Sequence, residues 1–249
     1  MVHRFRAFLL ALQFLTRIPV PQRAEISDKE LGHSVIWYPL VGIVIGIVLV
    51  GVRVLSMDND AALQAALILT VWVLITGALH LDGLADSADA WLGGHGDRER
   101  TLKILKDPLS GPAALVIVTV VLILKFASLE DLAQSFPMWP ALLVIPMLAR
   151  AAAVALFLTT PYVRTEGIGA AHAEHLPHAG GVIAVVLSLL VTLLFLGWRG
   201  IWVILAVAIA GFLLWTLMHR RIGGTTGDTA GALIEVTEVS SLVVLALVS

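Results

Sequence analysis

The chain has 249 residues, of which 59% are hydrophobic and 14% are charged. Soluble domains contain roughly 45–50% apolar and about 25% charged residues, so this composition excludes an ordinary soluble domain. The net charge of −2 gives no sign of a nucleic-acid partner, and a chain without cysteine forms no disulfide, Fe–S cluster or catalytic thiolate. The apolar runs are continuous and do not alternate with period two, which favours membrane-spanning helices over a β-barrel.

The first twenty residues begin basic and apolar, as a signal peptide does. However, Gln13 and Arg17 interrupt the apolar run, and no cleavage site of small residues follows. We therefore expect an N-terminal amphipathic helix that lies in the membrane interface and ends before Pro19.

Hydropathy predicts an all-α, polytopic integral membrane helical bundle that forms one domain over residues 1–249. Windows of about 19 residues indicate about seven transmembrane helices. The predicted spans lie near residues 36–55, 61–80, 111–128, 139–159, 181–198, 201–218 and 230–248.

Lysine and arginine are distributed unevenly between the two ends of the predicted spans. If successive spans cross the membrane in alternating directions, twelve of the sixteen lysines and arginines lie on the side of the membrane that holds the N-terminus. This excess of positive charge predicts that this side is cytoplasmic. The opposite side receives Arg53, Lys125 and Arg199, while Arg150 falls inside the fourth span. We expect any active site to face the cytoplasm, because the three segments richest in polar residues fall on that side. These segments are 80–110, 160–180 and 219–231.

Three aspartates, Asp82, Asp86 and Asp89, follow the second predicted span at spacing i, i+4 and i+7. On a helix they occupy an arc of about 60°. Crowded carboxylates raise one another's pKa unless a cation neutralises them, and all-oxygen ligands suit Mg²⁺. Small neighbours such as Gly83 and Ser87 leave room for a bulky ligand. The alternative is a solvated helix face just beyond the membrane.

A glycine-rich turn at residues 222–227 leads into a helix and has the composition of an anion cradle that binds phosphate. The alternative is a helix cap formed by Thr226 or Asp228. Glu235 lies seven residues after Asp228 in an apolar helix, where an ionised group costs about 2.5–3.5 kcal/mol and marks a functional site. We expect Glu235 to face the aspartate stripe, and the alternative is an ion pair with Arg150.

Cations follow the aspartate stripe on the same predicted side of the membrane. Arg100, Lys103 and Lys106 fall near one helical face, and Arg164 lies in a glycine-containing loop. Beside carboxylate-bound Mg²⁺, these cations would bind a diphosphate and neutralise its charge. The alternative is that they bind lipid headgroups.

A series of motifs runs through almost the whole chain. The motifs are Phe14–Pro21, Tyr38–Gly42, His80–Asp89, Lys106–Asp107 with Gly111, Arg150, Pro161–Arg164, Glu166–Gly169 and Gly223–Glu235. In this order they resemble the cobalamin synthase family, the adenosylcobinamide-GDP ribazoletransferases.

The resemblance implies a Mg²⁺-dependent phosphotransferase of the prokaryotic inner membrane that acts late in cobalamin biosynthesis. A hydroxyl of α-ribazole, or of its 5′-phosphate, would attack the cobinamide-proximal phosphorus of adenosylcobinamide-GDP, and GMP would leave. Membrane lipid is a further expected partner, whereas nucleic acid is not. Self-association and association with other late cobalamin enzymes are left open.

The residues and the resemblance together define a predicted site. We assign catalysis to Asp82, Asp86, Asp89, Asp228 and Glu235, and metal binding to the four aspartates among them. Substrate or phosphate binding is assigned to Arg100, Lys103, Lys106, Asp107, Arg150, Arg164 and Gly227.

Two other functions fit part of the pattern. A CDP-alcohol phosphotransferase of lipid synthesis would share the membrane setting and the aspartate-rich helix, but Asp86 stands where its signature has an arginine. A secondary transporter would account for Arg150 and Glu235, but it predicts inverted repeats and broken helices, and neither is evident in the sequence.

Overall fold

The chain folds into helices with short connections, in a computed structural model that describes residues 2–21, 26–135, 137–164 and 168–249. Within these ranges, β-structure is limited to one isolated bridge between Tyr162 and Thr225. The helices are α1 (Val2–Leu15), α2 (Asp28–Ser34), α3 (Tyr38–Leu55), α4 (Ala61–Thr76), α5 (Leu79–Gly93), α6 (Arg98–Ile104), α7 (Pro112–Ser135), α8 (Met138–Thr159), α9 (Ile168–Glu174), α10 (His178–Leu196), α11 (Trp198–Ile222) and α12 (Gly227–Leu247).

Six helical segments of the described chain are long and apolar enough to cross a membrane. They are Asp28–Leu55, Pro112–Ser135, Met138–Thr159, His178–Leu196, Trp198–Ile222 and Gly227–Leu247. Helices α4 and α5 together make a seventh candidate, although they meet at a bend of 85°. The predicted polytopic helical fold is therefore confirmed.

The second predicted span, 61–80, differs from the structure because α4 ends at Thr76. Gly77 and Ala78 follow it with φ values of 61° and 57°, in the left-handed region. A left-handed glycine ends a helix by turning its backbone N–H back to the last carbonyls, and here the Gly77 N–H donates to Leu74 O. The chain therefore turns, and α5 carries the aspartate stripe away from the axis of α4.

Helix α8 lies at the centre of the bundle and packs closely against α3. A Cβ atom on Gly42 would lie 2.5 Å from Met147 Cα, and one on Gly46 would lie 2.5 Å from Leu142 O. Small residues spaced by four let two membrane helices approach to backbone contact. Any side chain at Gly42 or Gly46 would force α3 and α8 apart.

Helices α5 and α12 cross in the same way, and this crossing positions the candidate site. A Cβ atom on Gly83 would lie 2.6 Å from the carbonyl oxygen of Asp228. Farther along, a Cβ on Gly231 would lie 3.4 Å from His80 Cα. The two glycines thus bring the stripe of α5 against the first turns of α12.

Helix α7 extends to Ser135, well past the predicted end of the third span at residue 128. Lys125, which the positive-inside count placed on the outer side of the membrane, is instead buried within the bundle on this helix and is 3% exposed. That assignment is wrong because Lys125 Nζ is neutralised by the carboxylates of Glu235 and Glu238, each at 2.6 Å. The cations left on the predicted outer side are Arg53 and Arg199.

The N-terminal helix ends before Pro19 as predicted. One of its faces, with Ala11, Leu12 and Leu15, is buried and packs into the main core near Tyr38. Its placement in the membrane interface stays a prediction.

Candidate active site at the crossing of α5 and α12

Four aspartates gather where α5 crosses the start of α12. Asp86 lies one turn beyond Gly83 on α5, outside the six helical segments that are each long and apolar enough to span a membrane. Burial and the negative charges of neighbouring aspartates raise the pKa of Asp86 to about 6, well above its ordinary value of 3.8. These neighbours are Asp82, Asp228 and Asp89, in order of decreasing effect. The structure therefore brings the predicted stripe and Asp228 into one electrostatic site.

Arg164 is the cation that the structure places directly on this site. Its Nη2 donates to Asp228 Oδ2 at 2.6 Å and to the carbonyl oxygen of Leu105 at 3.0 Å. Its positive charge partly offsets the effect of the aspartates on Asp86. Arg164 therefore joins α12 to the segment that follows α6.

The segment from Pro161 to Val163 is held against the glycine-rich turn. The Thr225 N–H donates to Pro161 O, and the Val163 N–H donates to Thr225 O, both at 2.9 Å. The Tyr162 hydroxyl accepts the Gly227 N–H at 3.1 Å. These bonds fix Arg164, the next residue of the segment, beside the carboxylates.

The glycine-rich turn is a helix cap, the alternative that the sequence left open. Thr226 is the N-cap of α12 and forms a capping box with Thr229. The Gly227 N–H, predicted to bind phosphate, is already bonded to Tyr162. Because most of these amides have partners, an anion cradle is not preformed, and phosphate binding at Gly227 stays a prediction.

Asp89 has a further role that the helical spacing did not reveal. Its Oδ2 accepts the Gly111 N–H at 2.5 Å, and its Oδ1 accepts the Ala114 N–H at 3.1 Å. The carboxylate thus satisfies free amides at the start of α7, where negative charge is favourable. A metal-binding role for Asp89 stays a prediction, because both oxygens already serve α7.

The remaining aspartates have the chemistry of a hard-cation site. Asp82, Asp86 and Asp228 offer carboxylate oxygens, and the pKa of Asp86 is raised first by burial and then by the neighbouring negative charges, both of which a bound cation would offset. Over the described ranges, no three Asp, Glu, His or Cys side chains converge closely enough to enclose an ion. The donor set therefore fits Mg²⁺, but the side chains would have to rotate toward a common point.

The other predicted phosphate ligands lie at the surface and do not contact the carboxylates. Arg100 and Lys103 are exposed on α6, and Lys106 and Asp107 are exposed in the turn after it. Asp107 Oδ1 accepts the N–H of Leu109 at 3.0 Å, which stabilises that turn. Their roles in substrate binding stay predictions. Glu166, part of the family-like motif, lies outside the described residues.

Glu235 is not part of the aspartate site, which corrects the sequence expectation. It is 4% exposed, and its Oε2 accepts from Lys125 Nζ at 2.6 Å. The predicted alternative partner, Arg150, instead bonds to Glu238. An anion buried in an apolar helix is least costly beside a cation, and Lys125 on α7 supplies it.

Arg150 likewise lies away from the aspartates, inside a buried ionic cluster of Lys125, Arg150, Glu235 and Glu238. Its guanidinium also contacts His80 Nδ1 at 3.3 Å. Lys125, Glu238 and His80 are parts of this cluster that were not predicted from the sequence. The signal was present, since Glu235 and Glu238 share a helix face and Lys125 interrupts a predicted apolar run.

The fold and the site define a polytopic helical membrane protein with an acidic centre at one end of its bundle. Comparison with known families then shows that the chain belongs to the CobS, cobalamin-5-phosphate synthase, family, whose model matches residues 7–246.

Curated relatives agree over nearly the full length. A protein of Pseudomonas syringae pv. syringae, named adenosylcobinamide-GDP ribazoletransferase, is 52% identical over 241 residues, covering 96% of this chain and 98% of the relative. Relatives with the same name from Pseudomonas putida W619 and Pseudomonas fluorescens Pf-5 are 52% and 50% identical, each over 96% of this chain and 98% of their own. No solved structure matches the chain.

Proposed function

We propose that this protein is an adenosylcobinamide-GDP ribazoletransferase of late cobalamin synthesis. The observation that carries the proposal is the aspartate site of α5 and α12, in a chain about 50% identical over its length to enzymes of that name. The bend between α4 and α5 is a feature that transporters also have. The bend does not favour transport here, because it brings the aspartate-bearing face of α5 against α12.

In the proposed reaction, a hydroxyl of α-ribazole, or of its 5′-phosphate, forms a bond to the cobinamide-proximal phosphorus of adenosylcobinamide-GDP. The bond from that phosphorus to the GMP oxygen breaks, and GMP leaves. The proton of this hydroxyl must be accepted by a base. We propose that Asp82, the exposed carboxylate of the site, orients the hydroxyl and accepts its proton. Arg164 holds Asp228 in place throughout.

We propose Mg²⁺ as the cofactor, held by Asp82, Asp86 and Asp228. When bound, the ion would neutralise diphosphate charge and polarise the transferred phosphoryl group. Asp89 supports the site from its bond to the start of α7.

The reaction is tested with purified protein in detergent by measuring GMP release from adenosylcobinamide-GDP. We expect GMP only when α-ribazole or its phosphate is present, and much less after chelation of divalent cations. GMP release with a diacylglycerol acceptor, or none with either ribazole, would contradict the proposal.

We further propose that the protein lies in the prokaryotic inner membrane with this site facing the cytoplasm. Single cysteines at the exposed positions Glu99 and Glu174 should be shielded from an impermeant thiol reagent until cells are permeabilised. A cysteine at the exposed Asp58, in the turn at the opposite end of the bundle, is the matched control and should react from outside. The reverse labelling pattern would invert the orientation.

A further inference from the structure

A cavity of about 200 Å³ adjoins the aspartate site on its buried side. Asp82 and Asp228 line it together with Phe14, Tyr38 and His172 from the elements that pack around α5 and α12. A space of this size is small for a whole substrate and suits one ring system.

One wall of the cavity is aromatic and uncharged. The Phe14 ring stacks on Tyr38 at a centroid distance of 6.2 Å and meets His172 edge to face at 4.9 Å. Burial lowers the pKa of His172 to about 4, so its imidazole is neutral at neutral pH. Flat apolar walls of this kind favour a planar ring without charge.

His80 lines the cavity and places a buried hydrogen-bond donor beside it. A guanidinium can only donate, so the contact between Arg150 Nη2 and His80 Nδ1 at 3.3 Å makes Nδ1 the acceptor. The proton of the neutral imidazole is then on Nε2. His80 is 3% exposed, and its Nε2 is enclosed by the protein and has no partner among the described residues, so a small rotation of the ring would be needed to bring it to a ligand in the cavity. A buried donor without an acceptor is costly, and a ligand that accepts would satisfy it.

We propose that this cavity binds the base of the acceptor nucleoside, with His80 Nε2–H donating to the free ring nitrogen of the base. This inference rests on the proposed function, which supplies ribazole as the acceptor. The benzimidazole base is a planar, apolar, uncharged bicycle with one ring nitrogen that accepts. The ribose then extends toward Asp82, where its hydroxyl is activated.

The guanine nucleotide of the other substrate suits the cavity poorly. Guanine carries several donors and acceptors along its edge, whereas the cavity offers the His80 donor and the Tyr38 and His172 pair, which already bond to each other at 3.2 Å. The cavity lining contains no lysine or arginine in the described part of the chain, and two carboxylates stand at its edge. A diphosphate would be repelled there.

The test compares two acceptors, the benzimidazole riboside and its indole analogue, in which a CH group replaces the accepting nitrogen. We expect the wild-type protein to have a KM about tenfold lower for the benzimidazole riboside. In His80→Asn, the side-chain oxygen still accepts from Arg150, but the donor at the Nε2 position is lost. The preference should then fall to about one, while the KM for adenosylcobinamide-GDP stays unchanged.

Two matched variants test whether the His80 donor is the cause of the preference for the benzimidazole riboside. His80→Gln places an amide N–H near the Nε2 position and should retain most of the preference. His95→Asn makes the same change at an exposed histidine and should behave as wild type. If His80→Asn keeps the wild-type preference, the inference is wrong. The inference is also wrong if His80→Gln lowers the preference more than His80→Asn does and both variants bind both substrates more weakly. His80 would then act only by accepting the hydrogen bond from Arg150.

A second variant covers the case in which His80→Asn fails to fold. Ala153→Val adds two methyl groups to the cavity wall and leaves the His80 side chain itself unchanged, and it should raise the KM for the riboside about tenfold. An unchanged KM would overturn the assignment of the cavity. Calorimetric binding of the riboside to wild type and to these variants gives a readout without turnover. Weaker binding of the riboside to the variants than to wild type supports the cavity assignment, whether or not GMP is released. Absence of GMP release by the wild-type protein would refute only the proposed function.

Discussion

Removing Lys125 should be among the most damaging single changes in the bundle. Lys125 Nζ bonds to Glu235 and Glu238, each at 2.6 Å, and all three side chains are at most 5% exposed. In Lys125→Met, Glu238 keeps Arg150, whereas Glu235 loses its cation. Leaving one buried charge unpaired costs about 3–5 kcal/mol. For a chain of this size, we expect the Tm to fall by about 10 °C.

The double variant Lys125→Met with Glu235→Gln removes the unpaired charge as well. The pair of Arg150 and Glu238 remains, so we expect stability within about 1–2 kcal/mol of wild type. Thermal unfolding in detergent can be followed by tryptophan fluorescence, because the Trp72 ring lies 5.1 Å from Lys125 Nζ. If the losses of the two single variants simply add, the proposed coupling is refuted.

The same double variant separates the two roles considered for Glu235. If Glu235 only pairs with Lys125, the folded double variant should keep much of the GMP release. A folded but inactive double variant would restore the catalytic role predicted from the sequence.

Three further predictions concern the site itself. Gly83→Ala should lower the stability by about 1–3 kcal/mol and remove most of the activity, because the new methyl group would lie 2.6 Å from Asp228 O. Gly51→Ala, which places a methyl group in open space, is the control, and equal effects of the two variants would contradict the close crossing of α5 and α12. Because the pKa of Asp86 is raised from 3.8 to about 6, cation-free protein should lose stability as the pH rises through this window, while cation affinity and rate increase. Asp86→Asn should abolish both trends in pH titrations, and their persistence would assign them to another group. Asp89→Asn should lower stability by about 1 kcal/mol through the start of α7 yet keep measurable turnover, and a loss as complete as that of Asp86→Asn would make Asp89 a ligand.

Periodicity and hydropathy predict the parts of this fold that depend on one helix at a time. The stripe of Asp82, Asp86 and Asp89 follows from helical spacing, and the long apolar runs identify most spans. The bend after α4 was missed because Ala78 has a left-handed conformation that its identity does not indicate. Alanine favours continued helix, so tertiary packing decides this turn.

Partners of buried polar groups were the least predictable feature of the site. The sequence offered Arg150 as the cation for Glu235, but helix rotation and depth place Lys125 there instead. Similarly, the spacing of the stripe did not reveal that Asp89 points at the start of α7. Such pairings depend on three or more helices packed together, which no single-segment pattern encodes.

Mn²⁺ binding to the detergent-solubilised protein, measured by electron paramagnetic resonance, tests most directly whether the aspartates of α5 and α12 form a cation site. Mn²⁺ is a spectroscopic substitute for Mg²⁺ with similar oxygen ligands. We predict bound Mn²⁺ that Mg²⁺ displaces, lost in Asp86→Asn and Asp228→Asn but retained in Asp107→Asn, an exposed aspartate of a surface turn. Undiminished Mn²⁺ binding in both Asp86→Asn and Asp228→Asn would contradict a cation site at the crossing of α5 and α12.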